Sequence, residues 1–240
     1  TSPPAVDAPC ATGPQTYVES GGAGLLERDD TDADIVSGIR WATFPDCERV
    51  VVDFAASSGA PAVAPPGVGP LFIRSSGVLR LQLDPAVSRS ALVDQRIEGA
   101  IFDRAFVVRR PTGELFVDLH LVAPALIRVS VASGPARIVV DAIPGGDGYP
   151  SPAIITDDLV VVDPSGTTAV YPFTVNGYTR RPQTIMQVEV EAGGVTELFE
   201  GEVGVGGDAW GAFTVLIPDG PDGQATMIVG GSVPLSMSLS

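Results

Sequence analysis

The stretch WATFPDCERVVVDF (41–54) decides the fold. Past the turn residues Pro45 and Asp46, Val50, Val52 and Phe54 fall on one face, and Arg49, Val51 and Asp53 fall on the other. A period of two marks a half-buried strand, not a helix. The stretch also carries Cys47, one of only 2 cysteines in the chain. A nucleophilic Cys47 would point to an enzyme, whereas a disulfide-bonded Cys47 points to a binding module. The single histidine, His120, lies far off in sequence, which leaves a Cys/His pairing formally open.

The same alternation spreads outward on both sides. GVLRLQLDP (77–85), LIRVSVAS (126–133) and ARIVVDAI (136–143) each read as strands. AIFDRAFVVRR (100–110) and ELFVDLHL (114–121), joined by PTG, read as a hairpin. In the latter strand Leu115, Val117, Leu119 and Leu121 point inward, leaving Phe116, Asp118 and His120 on the outward face, with His120 expected as a surface residue. SRSALVDQRIEGA (88–100) reads as a short helix. PGGDGYPSP (144–152) has no apolar period and is crowded with turn residues, which marks a domain boundary. Beyond it, DLVVVD, YPFTVNGYT, TIMQVEVEAG, VTELFEGEVGV, AWGAFTVLIP and ATMIVGG follow at turn spacings suited to a second small sandwich. The expected architecture is all-β: a linker over 1–34, one β-sandwich over 35–146 and another over 147–240.

The 240 residues carry 45% hydrophobic residues and a mean hydropathy of +0.28, enough to fill packed cores. The 28 glycines and 22 prolines suit strands joined by turns. Net charge is −15, and all 14 basic residues are arginine. An acidic surface repels phosphate backbones, so nucleic acid is excluded as a partner. The absence of lysine removes Schiff-base chemistry. No apolar run reaches the ~20 residues of a membrane helix. The opening TSPPAVDAPCATGPQ has the composition of a stalk behind a processed leader. We therefore expect an exported monomer, with room for a lipid-anchoring cysteine upstream.

Two resemblances follow from particular residues. IRWATFPDCERVVVDF (39–54) and GPARIVVDAIPG (134–145) resemble the AMIN domain of bacterial cell-envelope proteins in its actinobacterial form. That resemblance covers about residues 35–146 and implies a β-sandwich that targets the periplasm or cell wall through contact with peptidoglycan. FTVNGYTRRPQTIMQVEVEAGG (173–194) and DAWGAFTVLIP (208–218) resemble the immunoglobulin-like domain of bacterial spore germination proteins. That second resemblance implies an immunoglobulin-like binding or spacer module without catalysis. Some AMIN domains precede a zinc amidase, but its metal centre needs a His/Glu cluster that a single histidine does not supply.

The chemical candidates weigh the same way. In an exported chain Cys10 and Cys47 are expected to form a disulfide. A Cys47/His120 pair lacks an identifiable third group to orient it. Asp30, Asp32 and Asp34 alternate like the start of a calcium loop, but Ile35 stands where that loop needs Gly and Trp41 where it needs Glu. A solvated acidic linker is the expectation there, with no metal and no cofactor. Two Arg-Arg-Pro triplets, Arg109–Arg110 and Arg180–Arg181, are positive spots in an acidic chain, suited to carboxylates and phosphates. Among the aromatics, Trp41 and Trp210 fit core positions, Tyr178 is open to stacking on a sugar, and the outward Phe116 is either covered by a neighbour or part of a binding patch. The expected function is non-catalytic binding or targeting to a cell-wall glycan through Arg109, Arg110, Phe116, Arg180 and Arg181. The alternative is a structural ectodomain that binds another protein in an envelope assembly of the sporulation or germination kind.

Overall fold

The structure is a computed structural model that describes residues 10, 30–73, 76–84, 87–147, 152, 154–231 and 233–240. Most of the expected 1–34 linker lies outside the described residues. The opening stretch folds as the expected hairpin. β1 (Ile35–Phe44) turns at Pro45–Asp46 into β2 (Cys47–Ala55), with Trp41 opposite Val50. The first half continues with β3 (Gly67–Ile73), β4 (Val78–Asp84), β5 (Arg89–Ser90), β6 (Asp94–Arg96), β7 (Phe102–Arg109), β8 (Leu115–Leu121), β9 (Ala125–Ala132) and β10 (Arg137–Pro144). The second half adds β11 (Ile154–Ile155), β12 (Leu159–Asp163), β13 (Thr168–Ala169), β14 (Phe173–Thr179), β15 (Ile185–Ala192), β16 (Val195–Glu202), β17 (Trp210–Ile217), β18 (Gly223–Val229) and β19 (Val233–Leu239). No helix occurs among the described residues, so the protein is all-β.

Three sheets hold these strands. One runs β5-β1-β2-β10-β9 and another β13-β19-β18-β15-β16. The third has nine strands in the order β11-β12-β14-β17-β7-β8-β4-β3, with β6 also paired to β7. It crosses from one half of the chain to the other where β17 runs parallel to β7, Trp210 beside Val108 and Gly211 beside Arg109. Glycine permits that approach. A Cβ on Gly204 would lie 2.0 Å from the Arg109 carbonyl oxygen, and one on Gly211 would lie 2.1 Å from the Gly204 oxygen.

Three buried clusters follow from the alternation. Val50, Val52, Phe54, Leu79, Leu81, Val107, Val117, Leu119 and Val140 fill the first sandwich. Val161, Val175, Val188, Val190, Phe213, Val215, Met227 and Val229 fill the second. The third cluster joins the halves: Val78, Phe106, Val108 and Phe116 pack against Val160, Val162, Tyr178 and Trp210. Each group comes from the strand face turned away from its own sandwich core.

Two sequence expectations change here. Residues 88–100 are not helical. β5 pairs with β1 and β6 with β7, because neighbouring strands there offer backbone partners and local propensity is weak. The acidic run is not simply solvated. The Asp32 carboxylate accepts N–H groups from Val63 (2.9 Å) and Ala64 (2.8 Å), and these donors lower its pKa, Ala64 most of all. Asp34 accepts the Ser88 hydroxyl and the Arg89 guanidinium, and both hold its pKa low.

Cys10 and Cys47 are disulfide-bonded, closing a separation of 37 residues. A loop of that length removes roughly 4 kcal/mol of unfolded-state entropy in the chain-entropy account. The next residue, Glu48, is buried, and its carboxylate accepts the N–H groups of Ala100, Ile101 (3.1 Å) and Phe102 (3.0 Å). The turn into β7 therefore hangs on one side chain. Glu48→Ala strands three backbone donors and is expected to cost about 2–4 kcal/mol. A urea titration of the variant checks this, and an unchanged midpoint would refute the assignment.

Candidate functional site

β4, β8 and β7 lie side by side, with Arg80 opposite Asp118, His120 opposite both Val78 and Arg104, and Phe106 opposite Asp118. Their outward face thus reads Val78-Arg80-Gln82-Asp84, His120-Asp118-Phe116-Glu114 and Arg104-Phe106-Val108-Arg110. The second sandwich covers most of it. Phe116 is 2% exposed, the covered one of its two alternatives, and His120 is 1% exposed, which corrects its expected surface position. Alternation within a strand shows which face a residue takes, but not whether another sheet lies over that face.

The covered part is an aromatic seam. Phe106 packs against His120 (4.7 Å between centroids), Tyr178 (5.1 Å) and Trp210 (5.2 Å). His120 Nε2 is hydrogen-bonded to the Tyr178 hydroxyl across the two halves. Burial, reinforced by the charges of Arg104 and Arg80, depresses the His120 pKa to about 3. Burial, with Asp118 adding, pushes the Tyr178 phenol well up. The contact is therefore a neutral hydrogen bond. With Cys47 in a disulfide and His120 bonded to Tyr178, the Cys/His pairing is ruled out.

Arginines line both ends of the seam. Arg80 and Arg110 stand over the Phe116 ring, at 4.1 Å and 5.0 Å from its centroid. Arg104 stands over Phe106 (4.9 Å) and Arg180 over Trp210 (5.9 Å). Trp210 donates its indole N–H to Asp94, which also pairs with Arg104. Most of these cations are neutralised. Arg80 grips Asp118 with both arms (2.9 and 2.7 Å). Arg109 grips Asp208 across the halves (2.8 and 2.9 Å) and donates to the Ser88 and Gly113 carbonyls. Arg181 holds Asp158 and the Gly230 carbonyl. Arg180 is exposed, over Trp210.

Arg110, like Arg180, stands apart from the paired arginines. It has no carboxylate partner among the described residues. It borders a cleft of about 420 Å³ between the β7–β8 turn and β14/β17, lined also by Arg80, Thr112, Asn176, Glu202 and Thr214. An adjoining hollow of about 360 Å³ shares Arg110 and Phe116 and adds Gln82, Asp84 and Glu114. The structure thus brings Arg110 and Phe116 together at the junction, sets Arg180 at a separate position and ties Arg109 and Arg181 into ion pairs. Sequence reading missed Arg80, Asp118, Asn176 and Asp208. Arg80 and Asp118 were visible as outward positions of adjacent strands. Asn176 and Asp208 carried no local signal, because their role depends on the meeting of the two halves.

Among the described residues no group of three or more His, Cys, Asp or Glu is arranged to hold a metal ion. Nor is any helix there long and apolar enough to cross a membrane. Comparison of the chain with protein-family models, curated proteins and solved structures found no match. Fold and site therefore define it as an all-β protein of stacked sandwiches with a charged cleft at their junction.

The seam sets a pH dependence. The unfolded chain binds a proton on His120 below about pH 6.5, whereas the folded chain does so only near 3. Stability from this site is full above pH 6.5 and falls as pH drops, by about 3 kcal/mol between pH 6.5 and pH 4. The aspartates held low add to the loss only toward its acid end, as their unfolded carboxyls begin to protonate, and burial of Asp103, which raises its pKa, acts in the opposite sense. His120→Gln is expected to flatten the slope of unfolding free energy between pH 6.5 and 4. A wild-type slope retained in the variant would show that His120 is not its source.

Proposed function

We propose that this chain is an exported, non-catalytic binding module of the cell envelope. Its junction cleft holds a cell-wall polymer with carboxylate groups, peptidoglycan foremost. The observation that carries this reading is Arg110: a guanidinium stacked on Phe116, without a carboxylate partner among the described residues, at the mouth of a cleft. In a chain of net charge −15, eight other arginines of the described residues are paired with carboxylates. A planar, fork-shaped cation left open suits a carboxylate or phosphate. The Asn176 amide and the Thr112 and Thr214 hydroxyls, which line the same cleft, suit the polar groups of a glycan. The disulfide fits an oxidising compartment outside the cytoplasm. The AMIN-like resemblance of 39–54 and 134–145 leads to the same ligand class. The alternative, a structural ectodomain that binds another envelope protein, needs no polymer in the cleft.

Co-sedimentation of the full chain with purified peptidoglycan tests the proposal. At low salt, where screening is weak, the chain is expected to pellet, and pelleting should fall as ionic strength rises. Arg110→Ala should weaken binding about tenfold while leaving stability near wild type. Arg109→Ala should do the reverse: it breaks the Asp208 pair, lowers stability by about 1–3 kcal/mol and leaves the affinity of the folded protein unchanged. Failure of the wild-type chain to pellet at low salt would overturn the wall-polymer reading in favour of the protein-binding one.

A further inference from the structure

The outward face of β4, β8 and β7 is covered along the seam but open at one end. Its final positions on the three strands and their extensions are Asp84, Glu114 and Arg110. These line one hollow together with Gln82 and Phe116. Asp84 and Glu114 are exposed, and neither has a cationic partner among the described residues. The Glu114 carboxylate accepts the Thr112 hydroxyl, at 2.7 Å. Arg110 separates this hollow from the larger cleft on the side of the second sandwich, where Asn176 keeps one amide N–H and the Thr112 and Thr214 hydroxyls, donated to Glu114 and Asn176, keep acceptor lone pairs. The groove therefore has two chemically different compartments that meet at one guanidinium. On one side are two open carboxylates. On the other are the Arg80 and Arg110 guanidiniums and the second N–H of the Asn176 amide, with Glu202 as the acidic member of that lining.

We propose that the groove reads a zwitterionic segment, a short peptide or amino-sugar unit carrying both an ammonium group and a carboxylate. The ammonium sits between Asp84 and Glu114. The carboxylate is gripped by Arg110 on the side of Asn176. A purely anionic polymer leaves Asp84 and Glu114 facing like charge, and a purely cationic one leaves Arg110 unpaired, so each compartment selects against half of the simpler ligands. The overall negative field draws the ammonium inward and leaves Arg110 as the local attraction for the carboxylate. This assignment rests on the junction cleft being the ligand site, as proposed above.

The test compares peptidoglycan before and after chemical acetylation of its free amines. It also uses the dipeptide Ala-Lys, its diacetylated form and its C-terminal amide as soluble probes in NMR titrations of the full chain. Acetylation is expected to weaken pelleting about three- to tenfold, the range of an exposed ion pair or two. The Asp84→Asn, Glu114→Gln double variant should lose the same factor on untreated peptidoglycan and nothing further on the acetylated material. Arg110→Gln should lose the preference for the free carboxylate over the amide, and Arg110→Lys, which keeps the charge but lacks the two-armed fork, should keep only part of it. Pelleting unaffected by acetylation would overturn the zwitterion assignment and leave wall binding standing. A dipeptide that binds through both ends, while untreated peptidoglycan fails to pellet, would uphold the assignment and sink the wall reading. Binding in neither assay would overturn both.

Discussion

The structure depends on the burial of the second face of β4, β8 and β7. In a two-layer sandwich that face meets water. Here it carries Val78, Phe106, Val108 and Phe116, and β12, β14 and β17 bury it with Val160, Val162, Tyr178 and Trp210. Each large aromatic removed from water contributes on the order of a few kcal/mol. That gain offsets the cost of taking His120, Arg80 and Asp118 out of solvent along with the aromatics. The polar groups endure the burial because they pair: Arg80 with Asp118 through two hydrogen bonds, and His120 with Tyr178 across the boundary. The strand-to-strand bond of β17 with β7 and the Arg109–Asp208 ion pair close the same boundary at its rim.

The same geometry positions the candidate site. The seam covers the apolar positions of the face together with Asp118 and His120, and it stops short of the face's last positions. Arg110 is the next position after Val108 on its strand, Glu114 the position beyond Phe116, and Asp84 the one beyond Gln82. A groove results at the edge of the contact, with its charged groups held on rigid strand ends and a tight turn. Phe116 links the two functions, since its ring is part of the buried seam and also supports Arg80 and Arg110. Arginine serves both purposes because a planar cation stacks on a ring and still offers N–H groups at its edge.

Much of this was legible in the residues. Val50, Val52 and Phe54 against Arg49, Val51 and Asp53 gave the strand and its inward face, and the core contains the first three. Two cysteines, in a chain expected to be exported, gave the disulfide. The hairpin around PTG gave the strands that carry Arg110 and Phe116. Where the reading failed, a contact distant in sequence decided the outcome. Within residues 88–100, β5 and β6 form because β1 and β7 present open backbone groups to them. Asp32 and Asp34 serve as clasps because the Val63–Ala64 backbone, Ser88 and Arg89 come to them.

Sequence alone therefore determined the class of structure and the direction of each strand face, since a period of two is a local property that backbone geometry enforces. It also determined the charge balance, the all-arginine cation set and the want of local ligand signals for a metal. Tertiary structure alone decided which outward faces stay outward. Alternation gives Phe116, His120 and Arg110 the same status, yet the first two are buried in the seam and the third stands at its open end. The difference arises from where a second sheet stops, and that boundary is set by packing between residues some hundred positions apart in the chain.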